Sequence, residues 1–85
     1  MEIRPDDPAV MDSMGWVQFR LGNYAEAETY LRKAYGILED AEIAGHLVEL
    51  LWVQGNYDEA NSVMNKMLEL YPEDKYILEL QQRLK

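Results

Sequence analysis

Gly22-Asn23-Tyr24-Ala25-Glu26-Ala27 returns further along the chain as Gly55-Asn56-Tyr57-Asp58-Glu59-Ala60, with five of the six letters unchanged. Each copy reads as the end of one helix followed at once by the start of another. Gly enters the left-handed region that closes a helix without a Cβ clash. Asn in the next position is a preferred helix cap, and Glu three residues on is placed to complete a capping box. Tyr and Ala then begin an apolar stripe. Each copy is therefore the elbow of a two-helix hairpin, and the step from Gly22 to Gly55 is the period of a helical solenoid.

Outward from the elbows, the remaining helices follow from caps and breakers. Asp7-Pro8 opens the first helix, with Asp as cap and Pro in the first turn. On a helical wheel Val10, Met11, Met14, Val17 and Leu21 share one stripe, expected to close the hairpin. Trp16 and Phe19 point well away from it, beside Asp12. The second helix is predicted from about Tyr24 to Ile37, burying Ala27, Tyr30, Leu31, Ala34 and Ile37 or Leu38. Asp40 caps a third helix that turns Ile43, Leu47, Leu50 and Leu51 inward and stops before Gly55. A fourth runs from about Tyr57 to Leu70, where Pro72 forces a break. A fifth, from about Glu73 to Leu84, sets Ile77, Leu80 and Leu84 against a polar face, as a closing helix requires. The fifth helix is expected to pack on the fourth, over Val63, Met67 and Leu70 or their neighbours. Residues 1–7 match the Leu68–Asp74 segment in Glu, Pro and acidic positions, and read as the remnant of a preceding repeat.

Composition narrows the function. The chain has 85 residues, enough for one small domain. Its 16 acidic residues against 8 basic ones give a net charge of −8. Phosphate recognition needs clustered Lys and Arg, so nucleic acid and anionic membrane surfaces are disfavoured as partners. The absence of Cys removes disulfides, thiolate metal sites and thiol nucleophiles. No stretch of about 20 apolar residues exists to span a bilayer.

The elbows, the small residues Gly15, Ala27, Ala34, Ala44 and Ala60 and the closing Pro72 resemble tetratricopeptide repeats. In that register the first repeat is Pro8 to Asp40, the second Ala41 to Asp74, and residues 75–85 form a C-terminal capping helix. Its packing positions fall on Met11, Met14, Gly15, Tyr24, Ala27, Leu31 and Ala34, then Ala44, Leu47, Val48, Leu51, Tyr57, Ala60, Met64, Met67 and Pro72. Repeat one is a residue short and carries Glu39 where the family has Pro. Gln18, Val48 and Met67 also depart from the pattern. The fold implied is all-α: antiparallel helix-turn-helix repeats in a right-handed solenoid. More narrowly, Asp12-Ser13-Met14-Gly15-Trp16-Val17 and Ala41-Glu42-Ile43-Ala44-Gly45-His46-Leu47 resemble the C-terminal repeats of large bacterial proteins of this family, some of them envelope adaptors.

The resemblance implies a module that holds another protein or peptide and has no chemistry of its own. The family's groove positions fall on Ala9, Asp12, Trp16, Phe19 and Arg20, then Glu42, Gly45, Glu49, Trp52 and Val53. Of these, Asp12, Trp16, Phe19, Arg20, Glu49 and Trp52 are the candidate partner contacts. The Lys, Asn and Arg of the family's carboxylate clamp have no counterpart here. Aromatic surface edged with acid suits an apolar segment flanked by Lys or Arg. The alternatives are that these rings pack between adjacent first helices, and that the segment only caps a scaffold whose binding sites lie elsewhere. Glu42, His46 and Glu49 stand at helical spacing, but a zinc site needs three or four ligands and there is one His. A solvated acidic helix edge accounts for them. No metal, cofactor or catalytic residue is expected, His46 reads as a packing residue, and Met11, Met14, Met64 and Met67 read as core. Weak self-association is expected through the apolar face of the first helix, with Val10, Met11, Met14 and Val17.

Overall fold

The computed structural model describes residues 7–84, so the repeat-remnant reading of the first seven residues lies, except for Asp7, outside the described residues. Five helices follow one another: α1 (Pro8–Arg20), α2 (Tyr24–Ile37), α3 (Ala41–Val53), α4 (Tyr57–Leu70) and α5 (Lys75–Arg83). The fold is all-α, a succession of helix pairs. From α1 to α3 and from α2 to α4 both helix bounds shift by the same step that separates Gly22 from Gly55.

The elbows behave as their glycines require, but not as their asparagines suggest. Gly22 and Gly55 both sit at φ 84°, where other residues are strained. Around them the backbone repeats one pattern. Gly22 N–H donates to Phe19 C=O at 3.0 Å and Asn23 N–H to Gln18 C=O at 2.8 Å; Gly55 and Asn56 do the same to Trp52 and Leu51. That is the Schellman closure of a helix end. The expected capping boxes do not form, since neither Asn23 nor Asn56 makes a side-chain cap bond. Asn23 instead donates its amide to Gln18, and Glu59 is drawn away by Arg32. The tight turn itself already orients the next helix, which leaves the side chains free for other bonds. At the other three starts the caps form through Asp7, Asp40 and Asp74, whose carboxylates accept from Ala9, Glu42 and Ile43, and Ile77 N–H. Asp74 as cap places the start of α5 at Lys75, later than Glu73.

The core is built around α3, which buries Ile43, Ala44, Gly45, Leu47, Val48, Leu50 and Leu51. It packs on α2, α4 and α5 and touches α1. Ala27 and Leu31 come from α2, Ala60, Met64 and Met67 from α4, and Ile77 and Leu80 from α5. The fifth helix thus leans on α3 as much as on α4; Met67 is buried as expected, whereas Leu70 is 53% exposed and the expected burial of Ile37 or Leu38 at the end of α2 does not occur, both being exposed.

Two expectations for α1 are corrected. The buried residues of α1 are Asp12 and Gly15 rather than the Val10 stripe, and it is Gly15 that meets α2. A Cβ on Gly15 would lie 2.8 Å from Leu31 Cγ, so the missing side chain is what lets α1 and α2 come together. Met14, Val17 and Leu21 remain exposed at 41%, 54% and 68%. Met64 and Met67 are core as expected; Met14 is not and Met11 is half-buried.

The far side, on α2 and α4, is laced by ion pairs. Arg32 bonds Glu28 at 2.8 Å and both oxygens of Glu59 at 2.6 and 2.9 Å, and Lys66 meets Glu39 at 2.9 Å. The Arg32 hydrogen bonds hold Glu59 below the usual carboxylate range. These groups are exposed to solvent, so the pairs add little to stability.

Candidate functional site

The opposite face is formed by the first helices of the pairs, α1 and α3, with α5 beside them. Several of its side chains link one helix to the next. A hydrogen bond of 2.7 Å joins Asp12 Oδ1 on α1 to His46 Nδ1 on α3. One repeat further on, Glu49 on α3 pairs with Arg83 on α5. Trp16 stacks on His46 with ring centres 4.1 Å apart, and Phe19 stacks on Trp16 at 4.9 Å. Tyr76 meets His46 edge-on at 6.3 Å. A continuous line of rings, Phe19, Trp16, His46 and Tyr76, therefore crosses from α1 over α3 to α5.

That line depends on one glycine. Gly45 lies directly beneath the Tyr76 ring, and a Cβ there would occupy the same space as the ring carbons. Burial raises the Tyr76 phenol above its usual range, and the nearby charges of Glu42 and Asp12 add to the shift. A cavity of about 370 Å³ opens beside it, lined by Asp40, Ala41, Glu42, His46, Asp74 and Tyr76.

The structure sorts the candidate contacts into three groups. Asp12, Trp16 and Phe19 come together with His46, and Asp12 is only 9% exposed. Asp12 is thus held in the seam between α1 and α3. Glu49 is engaged by Arg83, and Gly45 is roofed by Tyr76. Trp52 and Arg20 lie towards the elbows. Trp52 packs edge-on against Tyr57 at 4.7 Å, and its counterpart in the preceding repeat is Phe19 against Tyr24 at 5.7 Å. Arg20 and Val53 are exposed at the ends of their helices. Sequence reasoning missed Tyr76 and undervalued His46. The signal for His46 is its position one residue beyond the repeat of Asp12, but which face of α1 turns to α3 is decided by Gly15.

One group of ligand atoms also converges. Those of Asp12, Glu42 and His46 all lie within 4.8 Å of one another. The sequence spacing points to Glu49 as the third member, but Glu49 is turned to Arg83.

With this geometry in view, the comparisons with known proteins decide the family. A family model described as tetratricopeptide repeat matches residues 18–84. The chain belongs to the tetratricopeptide repeat family. It is 52% identical over 48 residues to the TPR repeat-containing protein PA4667 of Pseudomonas aeruginosa, covering 56% of the chain and 8% of that protein. It is 34% identical over 62 residues to protein SULFUR DEFICIENCY-INDUCED 2 of Arabidopsis thaliana, covering 73% of the chain and 20% of that protein. The chain thus spans a small part of the length of these relatives. Tetratricopeptide repeats mediate protein–protein interaction, and the family's members are typically scaffolds rather than enzymes. No described helix is long and apolar enough to cross a membrane.

Proposed function

We propose that the face of α1, α3 and α5 holds a segment of a partner protein that is apolar and flanked by Lys or Arg. The observation that carries this reading is the line of half-exposed rings bordered by carboxylates. Phe19, Trp16 and His46 present π surface, while Glu42, Asp40 and Asp74 border the cavity at its end. Such a surface offers aromatic anchors for apolar side chains and both charge and ring faces for a cation. Trp16 gives the cleaner test, because Trp52 packs against the buried cluster and Trp16 does not. Trp16→Ala combined with Trp52→Ala is expected to weaken binding of basic-flanked apolar peptides by about 30-fold or more, a loss of roughly 2 kcal/mol. Circular dichroism of the double variant should stay helical. Calorimetric titration showing unchanged affinity would sink the proposal, as would a single Trp16→Ala variant that unfolds.

A second reading has its own support. The polar groups of this face satisfy one another, as in Asp12 with His46 and Glu49 with Arg83, and Tyr76 fills the notch at Gly45. A face so engaged suits a segment that extends and caps a longer scaffold. The same titration separates the two, since a capping segment binds none of the peptides.

The exposed stripe of α1 favours self-association as a further, weaker property. Val10, Met14 and Val17 stand one repeat before Ile43, Leu47 and Leu50, which α2 and its neighbours bury to 4%, 2% and 0% exposure. Equivalent positions on α1 therefore present a surface shaped for another helix. Light scattering is expected to show a concentration-dependent rise in mass that salt strengthens, because the chain carries a net charge of −8. Val17→Glu should abolish it. A strict monomer at high concentration would exclude this contact.

A further inference from the structure

We propose that Asp12, Glu42 and His46 form a site for one divalent transition-metal ion of the zinc class, held across the seam between α1 and α3. The three ligand atoms come from two helices and converge to within 4.8 Å, with Asp12 and His46 already 2.7 Å apart. Ligands at about 2.0–2.2 Å from zinc stand roughly 3.4 Å from one another in a tetrahedron, so an ion entering here would displace the proton between Asp12 and His46, part that pair slightly and draw Glu42 in. Glu42 and His46 are one helical turn apart on α3 and share a face. Glu42 is exposed and makes no side-chain bond among the described residues, so it is free to close in. The imidazole is held in place beforehand, by Trp16 stacked on it and Tyr76 at its edge. Three protein ligands leave a fourth position for water or for a group from another molecule.

Charge and ligand type favour the same ion class. Asp12 is a nearly buried carboxylate whose hydrogen-bond partner is one His. A dication shared by two carboxylates and a neutral imidazole leaves no net charge in the seam, which removes the cost of a buried anion. The imidazole also sets this group apart from a merely acidic edge, since nitrogen ligands select zinc, nickel or cobalt over magnesium and calcium. A bound ion would fasten α1 to α3 at the joint between the two helix pairs, beside the aromatic line but without using Trp52 or Arg20.

The test is a calorimetric titration of the 85-residue chain with Zn²⁺ in a large excess of Mg²⁺, with tryptophan fluorescence followed in parallel. One equivalent of Zn²⁺ should bind saturably and perturb the Trp16 emission. Loss of an outer-shell contact alone weakens metal sites by about 10–100-fold, so Glu42→Gln, which removes a ligand, should cost at least about tenfold. Its exposed position keeps the fold intact, so it decides the matter even where His46→Asn destabilises the chain. The proposal is overturned if no saturable Zn²⁺ binding appears, if Mg²⁺ competes on equal terms, or if Glu42→Gln binds as the unaltered chain does.

Discussion

Truncation after Asp74 is expected to lower the melting temperature by tens of degrees or to cause aggregation. The removed segment carries Ile77 and Leu80, buried to 0% and 1% exposure, together with the half-buried Tyr76 and Leu84. Two fully buried aliphatic side chains are worth about 2 kcal/mol each. Against a total of roughly 5–15 kcal/mol, with so small a domain near the lower end, this is a large fraction. At about 4–8 °C per kcal/mol for a chain of this size, the shift should be evident in any thermal scan. The surface uncovered on α3 and α4 is apolar, which accounts for aggregation as the alternative outcome. An unchanged melting temperature would mean that α5 is not part of the folded unit.

The substitution Gly45→Ala should reverse its sign with the identity of residue 76. In the unaltered chain the new methyl group enters the space of the Tyr76 ring, which is rigid and can yield only by swinging out or by moving α5. Overpacking of this kind costs about 1–3 kcal/mol, set against a gain of about 1 kcal/mol from replacing Gly inside a helix. The net effect is a loss. In a Tyr76→Ala background the obstruction is gone and the helix gain remains, so the same change should be neutral or stabilising. Urea denaturation of the four chains in this cycle measures the coupling directly. Additive effects would show that Gly45 and Tyr76 do not meet.

What the sequence discloses is its periodicity. The bounds of α2 and α4, the Asp7 and Asp40 caps and both glycine elbows follow from local rules that act within a few residues. The ion pair of Glu49 with Arg83, the bond of Asp12 to His46 and the notch at Gly45 do not. They depend on how each helix is rotated about its axis, and that rotation is fixed by where small residues allow close approach. Gly15 against Leu31 turns the Asp12 side of α1 inward and leaves Met14 and Val17 outward, the reverse of what hydrophobicity alone suggests. The wheel ranks faces by polarity, whereas the structure ranks them by fit. For the same reason Trp16 and Phe19 are recognisable as a pair apart from the stripe, but their neighbour His46 is not.

Each helix packs only on helices one or two places away along the chain. Contacts of such short sequence separation require little loop closure before they are rewarded, so folding of this chain should be rapid for its size. The central helix α3 adjoins all four of the others, whereas α1, α2, α4 and α5 each lack at least one neighbour. Order in the molecule is thus densest at its middle and thins towards both ends. Opening is therefore expected to begin at α1 or α5 and spread inward, and hydrogen exchange should find the slowest amides between Ile43 and Leu51.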